Sequence, residues 1–268
     1  MMKKATFLLL LLLRIHICFA QVNHHSCIIN ADSSSRNESL RTRFSFNQLY
    51  IPSFLIFSGI ALNGSGPEAI KNEIVEERNE HWPKFNTQVD NYLQFTPILI
   101  AYGLDAFGIK SQTDIVNRTA ILIKGELCMM ASVSLLKHYT HIQRPDYSNY
   151  NSFPSGHTAQ AFAAATFLNE EYKRAFKWMP YVSYGIATSV GVLRMANNKH
   201  YISDVLVGAG IGILSMKLSY WTHQYKWNKK GKGDKTTFIA LLKVDLDTGV
   251  FQQAGLARIH AKNLSAVQ

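Results

Sequence analysis

Three cysteines in 268 residues remove whole classes of protein at once. Residues 1–20 read as an export signal. Met1-Met2-Lys3-Lys4 is a positive head, residues 5–13 are apolar, and Cys18-Phe19-Ala20 offers a cleavage site before Gln21. Cleavage leaves Cys27 in a polar tail and Cys128 in an apolar helix, which is no basis for a disulfide framework. The chain has no internal repeat. It also lacks a nucleic-acid module and any basic stripe interleaved with aromatics, so nucleic acid is not an expected partner. Long uncharged apolar runs are scarce too. Glu126 and Lys137 bracket one, Lys177 and Arg194 another, Asp204 and Lys217 a third, each short of the roughly 20 residues that cross a bilayer. These lengths predict core helices of a bundle that is at most partly embedded in a membrane or resting on its surface.

Cations, by contrast, are in excess. The formal charge is +10, and loss of Lys3, Lys4 and Arg14 with the signal lowers it by three, to +7. A basic exported protein favours phosphate esters and acidic headgroups as partners. Residues 21–43 read as a polar, flexible lead-in. Helical spacing of apolar residues predicts helices over 50–62, 92–108, 119–136, 158–176, 181–194 and 202–220, with a charged helix over 68–80. These place one all-α helical domain over residues 44–222. Residues 223–268 form a tail in which Lys226, Lys229, Lys230, Lys232 and Lys235 make a basic patch. Two predicted strands then meet at Asp247-Thr248-Gly249, a loop suited to a short C-terminal β-hairpin.

The chemistry concentrates in three short stretches. In "KHYTHIQRP", Lys137 and Arg144 are seven residues apart, so a continuous helix would set both on one face. Pro145 disfavours helical backbone at Arg144 and puts it at the helix end, beside a cleft. In "SFPSGHTAQAFAA", Ser155 and Gly156 open a helix that carries His157 in its first turn. In "RMANNKHYISD", Arg194 precedes a turn at Asn197-Asn198, His200 opens the next helix, and Asp204 stands one turn later. Each stretch alone reads as capping or ordinary surface chemistry. Together they bring cations, imidazoles and free N–H groups to three helix ends, a pocket for a tetrahedral anion. A metal site fits less well, because the His and Asp residues arrive among three cations.

The triple pattern Lys-x6-Arg-Pro, Pro-Ser-Gly-His and Arg-x5-His-x3-Asp resembles the signature of the type 2 phosphatidic acid phosphatase and vanadium haloperoxidase superfamily. It covers residues 137–204. One position departs: Leu193 stands where the family usually has Ser. The resemblance implies a helical bundle and a phosphatase that needs no metal or cofactor. It implies that His200 attacks phosphorus to form a phosphohistidine, that Asp204 orients His200, and that His157 is the acid and then the base. Lys137, Arg144 and Arg194, with the N–H groups near Ser155 and Gly156, would neutralise the phosphoryl oxygens. His138 and His141 match no family position and are read as structural. The expected substrate is a lipid phosphate, such as an isoprenoid or lipid A phosphate of the cell envelope, met on the periplasmic side with contact to the membrane surface. A soluble unspecific acid phosphatase acting on small phosphomonoesters is the alternative, and a vanadate-dependent haloperoxidase a more distant one.

Overall fold

The computed structural model describes residues 44–64 and 69–223. A 3₁₀ turn (Phe46–Leu49) leads into α1 (Tyr50–Leu62), α2 (Ile70–His81), α3 (Val89–Leu93), α4 (Thr96–Ala106), α5 (Ile115–Thr140), α6 (Gly156–Tyr172), α7 (Met179–Ala196) and α8 (Ile202–Trp221). No strand occurs among the described residues, so the expected all-α class holds there. The export signal, the lead-in, the basic patch and the β-hairpin lie outside the described residues.

Where helices begin and end follows from local chemistry. Asp114 caps α5, its carboxylate accepting from Asn117 N at 3.2 Å, and His141 ends the helix in the left-handed region at φ 45°. α5 therefore runs past the predicted 119–136 at both ends, because Arg118 and Lys137 do not interrupt a helix. Ser155 caps α6, its Oγ accepting from Thr158 N at 3.4 Å. The single helix expected over 92–108 is instead two, broken at Gln94-Phe95. Pro97 stands in the first turn of α4, where its missing N–H has no helical partner to lose.

α6 is the central helix. Ala159, Ala161, Ala163, Ala164 and Ala165 are all fully buried, and it packs against α4, α5, α7 and α8. Its approach to α8 depends on two glycines. A methyl on Gly208 would lie 2.5 Å from the Ser155 carbonyl oxygen, and one on Gly212 would collide with the Ala159 carbonyl. Because Gly208 meets Ser155 and Gly212 meets Ala159, α6 and α8 run in the same direction. At the opposite pole Arg118 is fully buried, with Nη2 on Asp105 Oδ2 at 3.0 Å. Nearby, Glu171 accepts from Tyr220 OH at 2.6 Å and Thr113 N at 2.8 Å.

α5 and α8 are each long and apolar enough to cross a membrane. α8 is mostly buried in the bundle, whereas α5 turns most of its apolar surface outward. Counting uncharged runs underestimates α5, whose charges sit within one continuous 26-residue helix. Ile123, Leu127 and Met130 of α5 are exposed, as are Phe54 and Phe57 of α1, Leu99 of α4 and Tyr181 of α7.

Candidate active site

Four elements end at one pole. α5 brings Lys137 in its last turn, α6 starts at Gly156-His157, α7 carries Arg194 in its last turn, and His200 and Asp204 flank the start of α8. The parallel course of α6 and α8 presents both helix N-termini, with their free N–H groups and positive dipole ends, to this pole.

Asp204 is fully buried. Its carboxylate accepts from Ser152 Oγ at 2.5 Å, Tyr201 N at 3.0 Å and Ser203 Oγ at 3.3 Å. The bond to Tyr201 N is the reach-back of an acid in the first helical turn, so α8 begins at Ile202, as the apolar spacing predicts, and His200 stands just ahead of the helix and does not open it. His200 Nδ1 stands 3.4 Å from Asp204 Oδ2, a loose contact of the kind that tightens on ligand binding. The Asp204 carbonyl accepts from Ser155 N at 3.0 Å, which ties the second motif to the third. His200 is almost wholly buried. Burial lowers its pKa to about 4, against the pull of Asp204, so the ring is neutral at pH 7 and retains a lone pair. An apolar cavity of about 170 Å³, lined by Ile74, Val75, Trp82, Val192 and Met195 among others, has His200 in its wall.

The cations differ in how they are held. Lys137 Nζ donates to Asn151 O at 2.5 Å. Arg144 does not share a helix face with Lys137, because α5 has already ended at Thr140. It sits in the following loop, its N donating to Asn149 O at 3.0 Å and its carbonyl accepting from Tyr147 N at 3.0 Å. Burial and the nearby Arg194 both lower its pKa. An ion pair of 2.6 Å between Asp146 and Lys199 fastens this loop beside His200. Arg194 is buried, with Nη1 donating to Asp90 Oδ2 at 2.6 Å. The Nε atoms of both Arg144 and Arg194 are buried with no hydrogen-bond partner. Arg194 is near enough to Arg144 to act on it electrostatically, and orphaned guanidinium donors are ones that an oxyanion reaching them would satisfy.

His157 is half-buried, with Nε2 at 2.9 Å from Asn91 Oδ1. Burial, then Arg194, Arg144 and Lys137, push its pKa down to about 4, with Asp90 opposing them. All eight residues expected from sequence therefore gather at this pole. Sequence reading missed Asp90, Asn91 and Asn197. The first two stand on a five-residue helix and lie 104 and 66 positions from their partners Arg194 and His157, so no spacing marks them. The rings of His138 and His141 stand 6.0 Å apart, and His141 is the left-handed cap of α5.

Residues 119–228 match the PAP2 superfamily. The chain is 34% identical over 176 residues to the lipid A 1-phosphatase of Porphyromonas gingivalis, covering 62% of this chain and 39% of that protein. It is 38% identical over 72 residues to the bacitracin transport permease protein BcrC of Bacillus licheniformis, covering 27% and 34%. The chain thus spans about two fifths or less of the curated relatives it matches. Among solved structures, Aquifex aeolicus LpxE is similar at 23% identity and a TM-score of 0.40, covering 54% of this chain and 93% of that one. A PAP2 type phosphatidylglycerolphosphate phosphatase from Bacillus subtilis is similar at 18% identity and a TM-score of 0.42, covering 65% and 94%. All three motifs, from Lys137 to Asp204, fall inside residues 119–228, the part of the chain that matches the PAP2 superfamily.

Proposed function

We propose that this chain is a phosphatase of lipid phosphate esters in the cell envelope, working through a phosphohistidine on His200. The observation that carries the reading is the pair of orphaned Nε donors of Arg144 and Arg194, with both arginines and Lys137 acting electrostatically on His157, and Arg194 and Lys137 on His200. With Nδ1 on Asp204, the lone pair of His200 lies on Nε2, which attacks phosphorus. As the P–N bond forms, the P–O bond to the alcohol breaks and His157 protonates the leaving oxygen. In the second step His157 takes a proton from water, the new P–O bond forms, and the P–N bond breaks to release phosphate and His200. Lys137, both arginines and the N-terminus of α6 spread the equatorial charge through both steps.

The lipid substrate is supported by the outward-facing apolar residues of α1, α4 and α5 and by the relative named for lipid A. The test uses the detergent-solubilised full chain with a lipid phosphate and with p-nitrophenyl phosphate. His200→Ala should lose all turnover, and His157→Ala should lose a hundredfold or more. An acid-labile label from ³²P-substrate should appear on wild type and vanish in His200→Ala. Turnover that survives His200→Ala, or label found on a serine, would end this reading. Activity on p-nitrophenyl phosphate alone would overturn its lipid part.

A further inference from the structure

Asp90 and Asn91 are neighbours on α3, and each holds a different member of the candidate site. Asp90 is fully buried. Besides Arg194, it accepts from Asn197 Nδ2 at 3.2 Å. Asn197 also bonds Thr87 twice, its Nδ2 donating to Thr87 O and its Oδ1 accepting from Thr87 N, both at 2.9 Å. The start of α3 is thereby stitched to the end of α7, and Asn91 is delivered to His157 by a fixed element. Asn91 is the hydrogen-bond partner of the His157 ring, at 2.9 Å.

A general acid must begin its step as imidazolium, with a proton on each nitrogen. In that state only the amide oxygen of Asn91 can face Nε2, since an amide nitrogen would set two donors against each other. We infer that Asn91 is a positioning residue that keeps the proton of His157 on Nε2 and so makes Nδ1 the atom that exchanges protons with substrate and water. This rests on the phosphatase reading above. In the first step the Nδ1 proton passes to the ester oxygen as its bond to phosphorus breaks. In the second, Nδ1 receives a proton from water as the P–N bond at His200 breaks. The other proton stays on Nε2 throughout, donated to Asn91 Oδ1. The charged groups acting on His157 are Asp90 from α3, Lys137 from α5, Arg144 from the following loop and Arg194 from α7. Of these only Asp90 favours the imidazolium, so a neutral acceptor at Asn91 bears directly on where the proton resides.

The experiment reads the ring and the kinetics separately in the full chain in detergent. Ring ¹⁵N shifts of His157 should show the Nε2–H tautomer in wild type and in Asn91→Asp, and a mixture of tautomers in Asn91→Leu. Asn91→Asp places a carboxylate against the imidazole. It should raise the His157 titration by about one unit or more and carry the alkaline limb of kcat upward by the same amount. Asn91→Leu should lower kcat about tenfold or more with KM little changed. An Nδ1–H tautomer in wild type would overturn the inference. So would pH profiles identical to wild type in both variants. The expected spectrum in a chain without turnover would instead overturn the phosphatase reading.

Discussion

At the scale of single residues, the charges of the site do not balance among themselves. Burial and three cations hold His157 near 4, so in the free protein the ring is neutral between roughly pH 5 and pH 7. An oxyanion seated among Lys137, Arg144 and Arg194 offsets those cations and favours the imidazolium. Binding of vanadate at pH 6 should therefore take up a proton, up to one per site. Calorimetric titration in two buffers of different ionisation enthalpy measures this directly, and identical apparent enthalpies would contradict it. The guanidinium forks give a second expectation. A lysine cannot supply the edge-on donors that Nε and Nη present together, so Arg144→Lys and Arg194→Lys should each lose tenfold or more in kcat/KM. Full activity in both would place the pocket elsewhere. The residues that were legible in the sequence are those whose chemistry recurs at short spacing: the Lys-x6-Arg, Ser-Gly-His and His-x3-Asp stretches. Asp90 and Asn91 were not, because a carboxylate and an amide in a polar segment look like any solvated turn until the fold brings α7 and α6 to them.

At the scale of elements, the geometry of the site depends on how closely α6 and α8 approach. Gly208 lies against the Ser155 carbonyl, and Ser155 N bonds the Asp204 carbonyl, so the contact that packs the helices also registers two motifs. Gly208→Val should destabilise the protein by about 1–3 kcal/mol or more through overpacking. It should also depress activity of the fraction that still folds, because Ser155 and Asp204 move apart. A methyl added at Gly103, on α4, would meet nothing within 4 Å. Gly103→Ala should be silent or stabilising by about 0.5–1 kcal/mol. Thermal melts and turnover of the two variants side by side check both, and a silent Gly208→Val would refute the registration argument. Helical periodicity disclosed most of these elements, since apolar residues at helical spacing need a neighbour to cover them. The break at Gln94-Phe95 and the extra turns of α5 escaped it. Caps and loop bonds set those limits, and caps such as Asp114 are single residues without periodicity.

At the scale of the molecule, direction along the bundle matters. α8 starts beside the site and ends at the opposite pole, about 30 Å away for 20 residues. The basic residues 226–235 follow it in sequence. With α5 and α8 across a bilayer, the site lies on one face and α8 ends at the other, and cationic segments favour the cytoplasmic face. The chain should stay with membranes through a carbonate wash. In a background with native cysteines replaced, Tyr147→Cys, on the exposed loop beside the site, should react with an impermeant maleimide in intact spheroplasts. Lys230→Cys should react only after permeabilisation. Equal labelling of both positions, or release by carbonate, would show a surface-bound bundle.

The unpartnered Nε groups of Arg144 and Arg194 have a further consequence, for how the enzyme would respond to its surroundings. Buried donors that lack a protein partner gain from any tetrahedral oxyanion that fits, whether or not it carries an organic group. Inorganic phosphate, the product under the proposed reaction, offers the same oxygens as a phosphate ester. On the phosphatase reading the site would hold product phosphate as well as substrate, and accumulated phosphate would compete with the ester for the same donors. Progress curves should bend early, and phosphate or sulfate buffers should act as competitive inhibitors.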